Sequence, residues 1–195
     1  CYFPIRNFPT PIHALIHAPF STNNSRDDVP DDTAQINRKI FIELFNFIKE
    51  VSEKIAKKDK RIHVYHKENS GPADTRDFAV SKSSESAKYI CTLDSDDLID
   101  KTYLEIAYFT LETNPNATWA YTDSIGFGKE NYTWNKGFSS NKLKKVNELT
   151  VNAVIKKDDF LAIGGFNLKE KKVFEDWNLW LKFIADKKYP VHNSY

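Results

Sequence analysis

At 195 residues, with 41% hydrophobic and 14% aromatic residues, the chain suits one large or two small domains with a real core. Charged residues make up 28% and nearly cancel to a net +1, which argues against a protein built to coat nucleic acid. No apolar run approaches the length of a membrane span and no secretory signal is present. The two cysteines give no disulfide framework. A cytoplasmic setting is expected, with peripheral contact at a membrane face left open. There is no methionine and the first residue is Cys1, so the expectation is a fragment or a chain with residues left out.

Residues 1–32 are broken by Pro4, Pro9, Pro11, Pro19 and Pro30, and only His13 to Ala18 suits a strand. Asp32 or Thr33 is a natural helix start. From Thr33 to Lys57, Ile36, Ile40, Leu44, Ile48, Val51 and Ile55 recur at helical spacing, which predicts a long amphipathic helix. Arg61 to His66 alternates like a strand. The turn Asn69-Ser70-Gly71-Pro72 follows, then a helix from Ala73 to Ser86 with Phe78 inward.

Tyr89 to Leu93 is a short apolar run, predicted to be a buried strand, and it ends at Asp94, Asp96 and Asp97. A helix is expected from Asp100 to Glu112, a strand from Thr118 to Thr122, then an aperiodic excursion from Asp123 to Thr150. A short strand at Val151 to Ile155, a helical turn at Asp158 to Ile163 and a last helix from Phe174 to Asp186 complete the order. The last helix should present Trp177, Trp180, Leu181 and Ile184 on one face, with Glu175 and Asp176 in its first turn. Alternating strands and helices predict an α/β sheet, mostly parallel and flanked by helices. Ligands of such sheets lie beyond the carboxyl ends of the strands, where Asp94 to Asp97 fall.

Clustered carboxylates repel unless something positive sits among them. An EF-hand starting at Asp94 fails, because Leu98 and Ile99 stand where a ligand and a glycine are required. Two readings stay open: acids capping the helix near Asp100, or carboxylates holding Mn2+ or Mg2+ against a diphosphate. Glu175-Asp176 is either an ordinary acidic first turn or a general base on a rigid element. Arg76, one turn beyond the Gly71-Pro72 turn, suits a phosphate or base contact.

HKENSGPADTRDFAV, KYICTLDSDDLID, Ala162-Ile163-Gly164-Gly165-Phe166-Asn167 and Phe174-Glu175-Asp176-Trp177, spread over about two thirds of the chain from Lys67 onward, together resemble the inverting, GT-A fold, family 2 type of nucleotide-sugar glycosyltransferase. HKENSGPADTRDFAV is similar to its N-x-G-x-x-x-A-R-N segment. KYICTLDSDDLID is similar to its strand and DxD segment. Ala162-Ile163-Gly164-Gly165-Phe166-Asn167 resembles its I-G-G-F-D/N, and Phe174-Glu175-Asp176-Trp177 its E-D-W segment.

The resemblance implies a metal-dependent transfer with inversion, from a nucleotide sugar, UDP-sugar foremost, to a hydroxyl of a glycan, lipid-linked or protein acceptor. Asp96 would be the first direct metal ligand and Asp94 the second, facing the sugar or ribose, with Asp97 in support. Arg76, with Asn69 and Gly71, would line the nucleotide pocket. Asp176 would be the base, with Glu175 the second choice. Gly164, Gly165, Phe166 and Trp177 would shape the acceptor side, and His192 would add a metal or diphosphate contact. Residues 1–60 would be a divergent nucleotide-binding part, 61–122 the core with the DxD pair and 123–195 the acceptor side of one catalytic domain. The family opens with two strands where this chain has room for one, and Thr75-Arg76-Asp77 stands for A-R-N. The alternatives are a sugar-nucleotide nucleotidyltransferase, or an inactive carbohydrate-binding or scaffold domain on the same fold.

Overall fold

The computed structural model describes residues 12–16, 46–94, 97–127, 131–166 and 174–194. The chain divides into two compact units, one of residues 1–4 and 20–68, the other of 5–19 and 69–195.

In the first unit the described part is helix α1, residues 46–58, and the segment after it. The helix covers the end of the expected amphipathic run; the run from Thr33 to Phe45 lies outside the described residues. Lys54 and Glu50 pair one turn apart at 2.5 Å. Arg61 folds back on Asp59, donating backbone and guanidinium N–H groups, and holds that carboxyl down at about 2. The expected strand at Arg61 to His66 is not there. Ile62 and Val64 are half-buried and their neighbours exposed, so the alternation survives, but no ladder forms in this stretch. Alternation encodes two faces; a strand also needs a partner edge.

The second unit is built on a five-stranded sheet. Its strands are β1 (Ile12–Ile16), β2 (Tyr89–Leu93), β3 (Ala117–Thr122), β6 (Val154–Lys156) and β7 (Tyr189–Asn193), in the order β1-β2-β6-β3-β7. A hairpin of β4 (Ser124–Ile125) and β5 (Thr133–Trp134) stands apart from it. β1 runs parallel to β2 and β3 to β7, while β6 is antiparallel to both β2 and β3. Four strands therefore share one direction and the sheet is mixed, not parallel throughout. Strand β7 contains Pro190, a residue that argues against a strand interior. At the sheet's edge a missing N–H is tolerated.

Period-two alternation sorts the strand residues to two faces. Tyr89, Cys91, Ala120 and Val154 pack with Tyr103, Leu104, Ala107 and Leu111 of helix α3 (Tyr103–Thr113). Ile90, Trp119, Tyr121 and Ile155 meet the opposite layer. That layer holds α2 (Pro72–Ser81), α4 (Ser140–Leu143), α5 (Lys157–Ala162) and α6 (Glu175–Ala185). Trp119 stacks on Trp180 at 5.1 Å and on Phe183 at 5.0 Å, and all three are fully buried. Of the expected face of α6, Trp180 is fully buried and Trp177 and Ile184 pack partly buried against the same core, while Leu179 and Phe183 complete the buried stripe and Leu181 is only partly covered. On α2 the buried residues are Arg76 and Val80, not Phe78, whose ring lies beneath the Lys82 ammonium at 5.3 Å. That helix stops at Ser81 because Ser81 and Ser83 donate their hydroxyls back to the Phe78 and Val80 carbonyls. Burial pushes the free Cys91 thiol up to about 12.

Candidate active site

The shared direction of β2, β3 and β7 puts their carboxyl ends on one edge, and β6 begins there because it runs the other way. Asp94 follows β2, Asp123 follows β3, His192 lies near the end of β7, and Asn152 leads into β6. The edge of the fold where α/β sheets bind ligands thus gathers three acids or imidazoles from distant parts of the sequence.

Asp94 does not cap α3. That helix starts at Tyr103, and Asp100 receives the Thr102 backbone N–H and hydroxyl through Oδ1 at 2.8 and 2.6 Å. Asp100 thus closes a turn just ahead of α3, whose N-cap Thr102 has no side-chain cap bond, and Asp94 and Asp97 have other partners. Asp97 accepts from Asn152 Nδ2 at 2.6 Å, and the Asn152 carbonyl receives the Tyr103 hydroxyl at 2.5 Å. Asp96 lies outside the described residues. Among the described residues no group of three or more His, Cys, Asp or Glu is gathered as a metal site.

Asp94 meets Arg76. Gly71, at φ 93°, turns the chain into α2, with its N–H on Asn69 Oδ1 at 3.0 Å and Pro72 in the first helical turn. One turn on, Arg76 is 3% exposed. Its Nη2 donates to Asp94 Oδ1 at 2.7 Å and its Nη1 to Glu175 Oε1 at 2.7 Å. Burial pulls the guanidinium's pKa down, but Asp94 and then Glu175 outweigh that and hold it above its usual value. The guanidinium also lies over the Phe166 ring, 5.4 Å from its centre.

Phe166 is held in turn. Gly164 and Gly165 close α5 at φ 78° and 65°, with their N–H groups on the Leu161 and Phe160 carbonyls at 3.0 Å. Phe166 then donates its N–H to Asp77 Oδ1 at 2.9 Å. A side chain on Gly165 would stand 2.5 Å from that same oxygen. The two consecutive residues Arg76 and Asp77 therefore fix the ring and the backbone of one loop.

At the start of α6, Asp176 accepts the Trp177 N–H at 2.7 Å and Asn147 Nδ2 at 2.8 Å. Burial raises its pKa above the ordinary carboxylate value. Those two hydrogen bonds oppose the rise, Glu175 adds to it, and Arg76 works against it. Trp177 anchors the same turn by donating Nε1–H to the Leu143 carbonyl at 2.6 Å. His192 lies apart from this group: its Nε2 is 2.7 Å from Asp123 Oδ1, and its ring stacks on Tyr121 at 4.6 Å.

The motif residues at Arg76, Asp94, Phe166 and Glu175 thus meet around one side chain. Asn147, Asn152 and Asp123 carry no signal in the sequence, because each acts through a partner far along the chain, while Asp77 ends the segment that stands for A-R-N. A motif model, glycosyl transferase family 2, matches residues 46–177. The chain belongs to glycosyl transferase family 2. The four-motif resemblance is borne out as the family. Membership implies a GT-A α/β fold, and the mixed sheet between two helical layers is of that kind. An uncharacterized glycosyltransferase of Rickettsia bellii is 36% identical over 138 residues, 68% of this chain and 20% of the relative. An uncharacterized glycosyltransferase of Rickettsia felis is 47% identical over 60 residues, 31% of this chain and 10% of the relative. The chain spans a fifth of the length of the first and a tenth of the second. Among the described residues no helix is long and apolar enough to cross a membrane.

Proposed function

We propose that this family 2 chain transfers a sugar from a nucleoside-diphosphate donor, UDP-linked foremost, to an acceptor hydroxyl with inversion. The observation that carries the proposal is the state of Asp176. It is a carboxylate on the rigid first turn of α6, oriented through both oxygens, with burial raising its proton affinity. A base of raised affinity is better matched to taking a proton from a hydroxyl near neutral pH.

The donor corner is Asp94, Asp96 and Asp97. Hard cations take oxygen ligands, and Mg2+ is commonly held by one or two carboxylates plus substrate phosphates. The chemistry of Asp94 and Asp97 fits that role in kind. Asp94 and Asp96 would hold Mn2+ or Mg2+, which would offset the charge developing on the departing diphosphate. The protein's own part is orientation. Asp176 accepts the acceptor's proton as the oxygen attacks the anomeric carbon, and the bond to the diphosphate breaks on the opposite face. Gly164 and Trp177 would border the acceptor side, and Phe166, fully buried, would shape it only from within the core.

The test is incubation of the chain with Mn2+ or Mg2+ and a panel of nucleotide sugars and acceptors, reading nucleoside diphosphate release. Release that depends on acceptor is expected. Donor binding without release for every acceptor would favour an inactive carbohydrate-binding domain and sink the transfer reading.

A further inference from the structure

Arg76 carries more than a place in a nucleotide pocket requires. It is a cation in the interior of α2's packed face, 3% exposed. Burying a charge is costly unless it is paired and hydrogen-bonded. Here the pairing is with two carboxylates that the sequence places 18 and 99 residues away. One, Asp94, ends the strand that leads to the donor corner. The other, Glu175, directly precedes Asp176. The planar fork serves the two oxygens at 2.7 Å from two separate nitrogens held in fixed geometry, whereas a lysine ammonium would have to reach both from a single nitrogen. Phe166 covers the guanidinium's face, and Asp77 fixes Phe166's backbone.

We propose that Arg76 is a positioning residue that locks the donor-side carboxylate Asp94 to the first turn of α6 through Glu175. This rests on the transfer reading above. In it Arg76 touches neither donor nor acceptor: each terminal nitrogen donates to a carboxylate and the group is buried, with Nε the guanidinium nitrogen left without a protein partner among the described residues. Its work is to hold the donor corner and the base-bearing turn in one register. Glu175 is the tether of that turn, and Asp176 is left to the chemistry. This also accounts for an acidic pair at the start of α6 in which the two carboxylates have different partners, Arg76 for one and Asn147 with the Trp177 N–H for the other.

The test is a double-mutant cycle with R76M, E175Q and the pair, plus R76K, on the whole chain. Wild type and variants are compared by kcat and donor KM in nucleoside diphosphate release, and by denaturant unfolding. A positioning role predicts that R76M lowers kcat by about 100-fold, the scale of a small misplacement of reacting groups, with donor KM changed by less than about threefold. R76M/E175Q should fall no further than R76M alone, because the two act as a unit. R76K keeps the charge and loses the fork, so it should recover less than about a tenth of wild-type kcat.

A rise in donor KM at unchanged kcat in R76M would mean that Arg76 contacts the donor, and would overturn the proposal. So would losses that multiply in the double variant, or full activity in R76K. If wild type itself turns over no donor, the transfer reading fails, and unfolding of wild type, R76M, E175Q and the double variant decides the lock. Non-additive losses there support it, and additive losses overturn it.

Discussion

Asn147 donates its amide to Asp176 Oδ2 at 2.8 Å, and the Leu149 N–H, 3.3 Å from Asn147 Oδ1, fixes which end of that amide faces the carboxylate. The pair spans 29 residues and links the excursion before β6 to the start of α6. A donor on a carboxylate favours its ionised form. Asn147→Ala removes one of the two bonds that hold Asp176 down against burial. The acid limb of the kcat/KM profile should therefore move to higher pH, and kcat/KM at neutral pH should fall by about tenfold. A limb that stays in place would detach Asn147 from the base.

Asp176→Asn should abolish transfer and leave donor binding intact, since the base meets the acceptor and not the diphosphate. Isothermal titration with donor, set beside a release assay, separates the two effects. The fold adds a second signature. The folded pKa of Asp176 lies above the usual 3.8, so its ionisation costs stability. That cost is absent below about pH 3.8, grows as pH rises from there to the folded value, and is fully present above it. Relative to wild type, the Asn variant should gain stability between about pH 4 and pH 7 in urea unfolding. Parallel stability curves would contradict a raised carboxylate.

Removal of divalent cations should lower nucleoside diphosphate release by at least about 100-fold, the scale lost when charge on a leaving group goes uncompensated. Adding back Mn2+ or Mg2+ should restore it. Asp96→Ala should stay inactive at metal concentrations that restore wild type. Undiminished release in excess chelator would remove the metal from the proposal.

Gly165→Ala should destabilise the chain by about 1–3 kcal/mol, the cost of a side chain at positive φ. The added carbon would also stand 2.5 Å from Asp77 Oδ1, the oxygen that holds Phe166. Denaturant unfolding measures the loss. If the variant still folds, its transfer rate should fall as well, because Phe166 covers Arg76. An alanine as stable as wild type would show that the loop tolerates another path.

Much of the second unit was legible in the sequence because its signals are local. The apolar run Tyr89 to Leu93, the 3.6-residue spacing of Leu104, Ala107 and Leu111, and the acidic start of α6 each depend on neighbours within a turn or two. The failures were where a partner decides. Arg61 to His66 has the pattern of a strand and forms no ladder. Tyr189 to Asn193 contains a proline and is a strand, because β3 offers it an edge. The antiparallel β6 between β2 and β3 is likewise a matter of which edge the chain returns to.

The sequence by itself determined that strand ends and helix starts would carry acids, and which family's motifs they compose. Only the tertiary structure decided what those acids do to one another. A carboxylate's task depends on what it faces, and that is set by packing across long chain separations. The fork of Arg76 falls between Asp94 and Glu175, Asn152 reaches Asp97, and Asn147 reaches Asp176. None of these pairs has a spacing rule, because no periodicity connects a residue to a partner on another element.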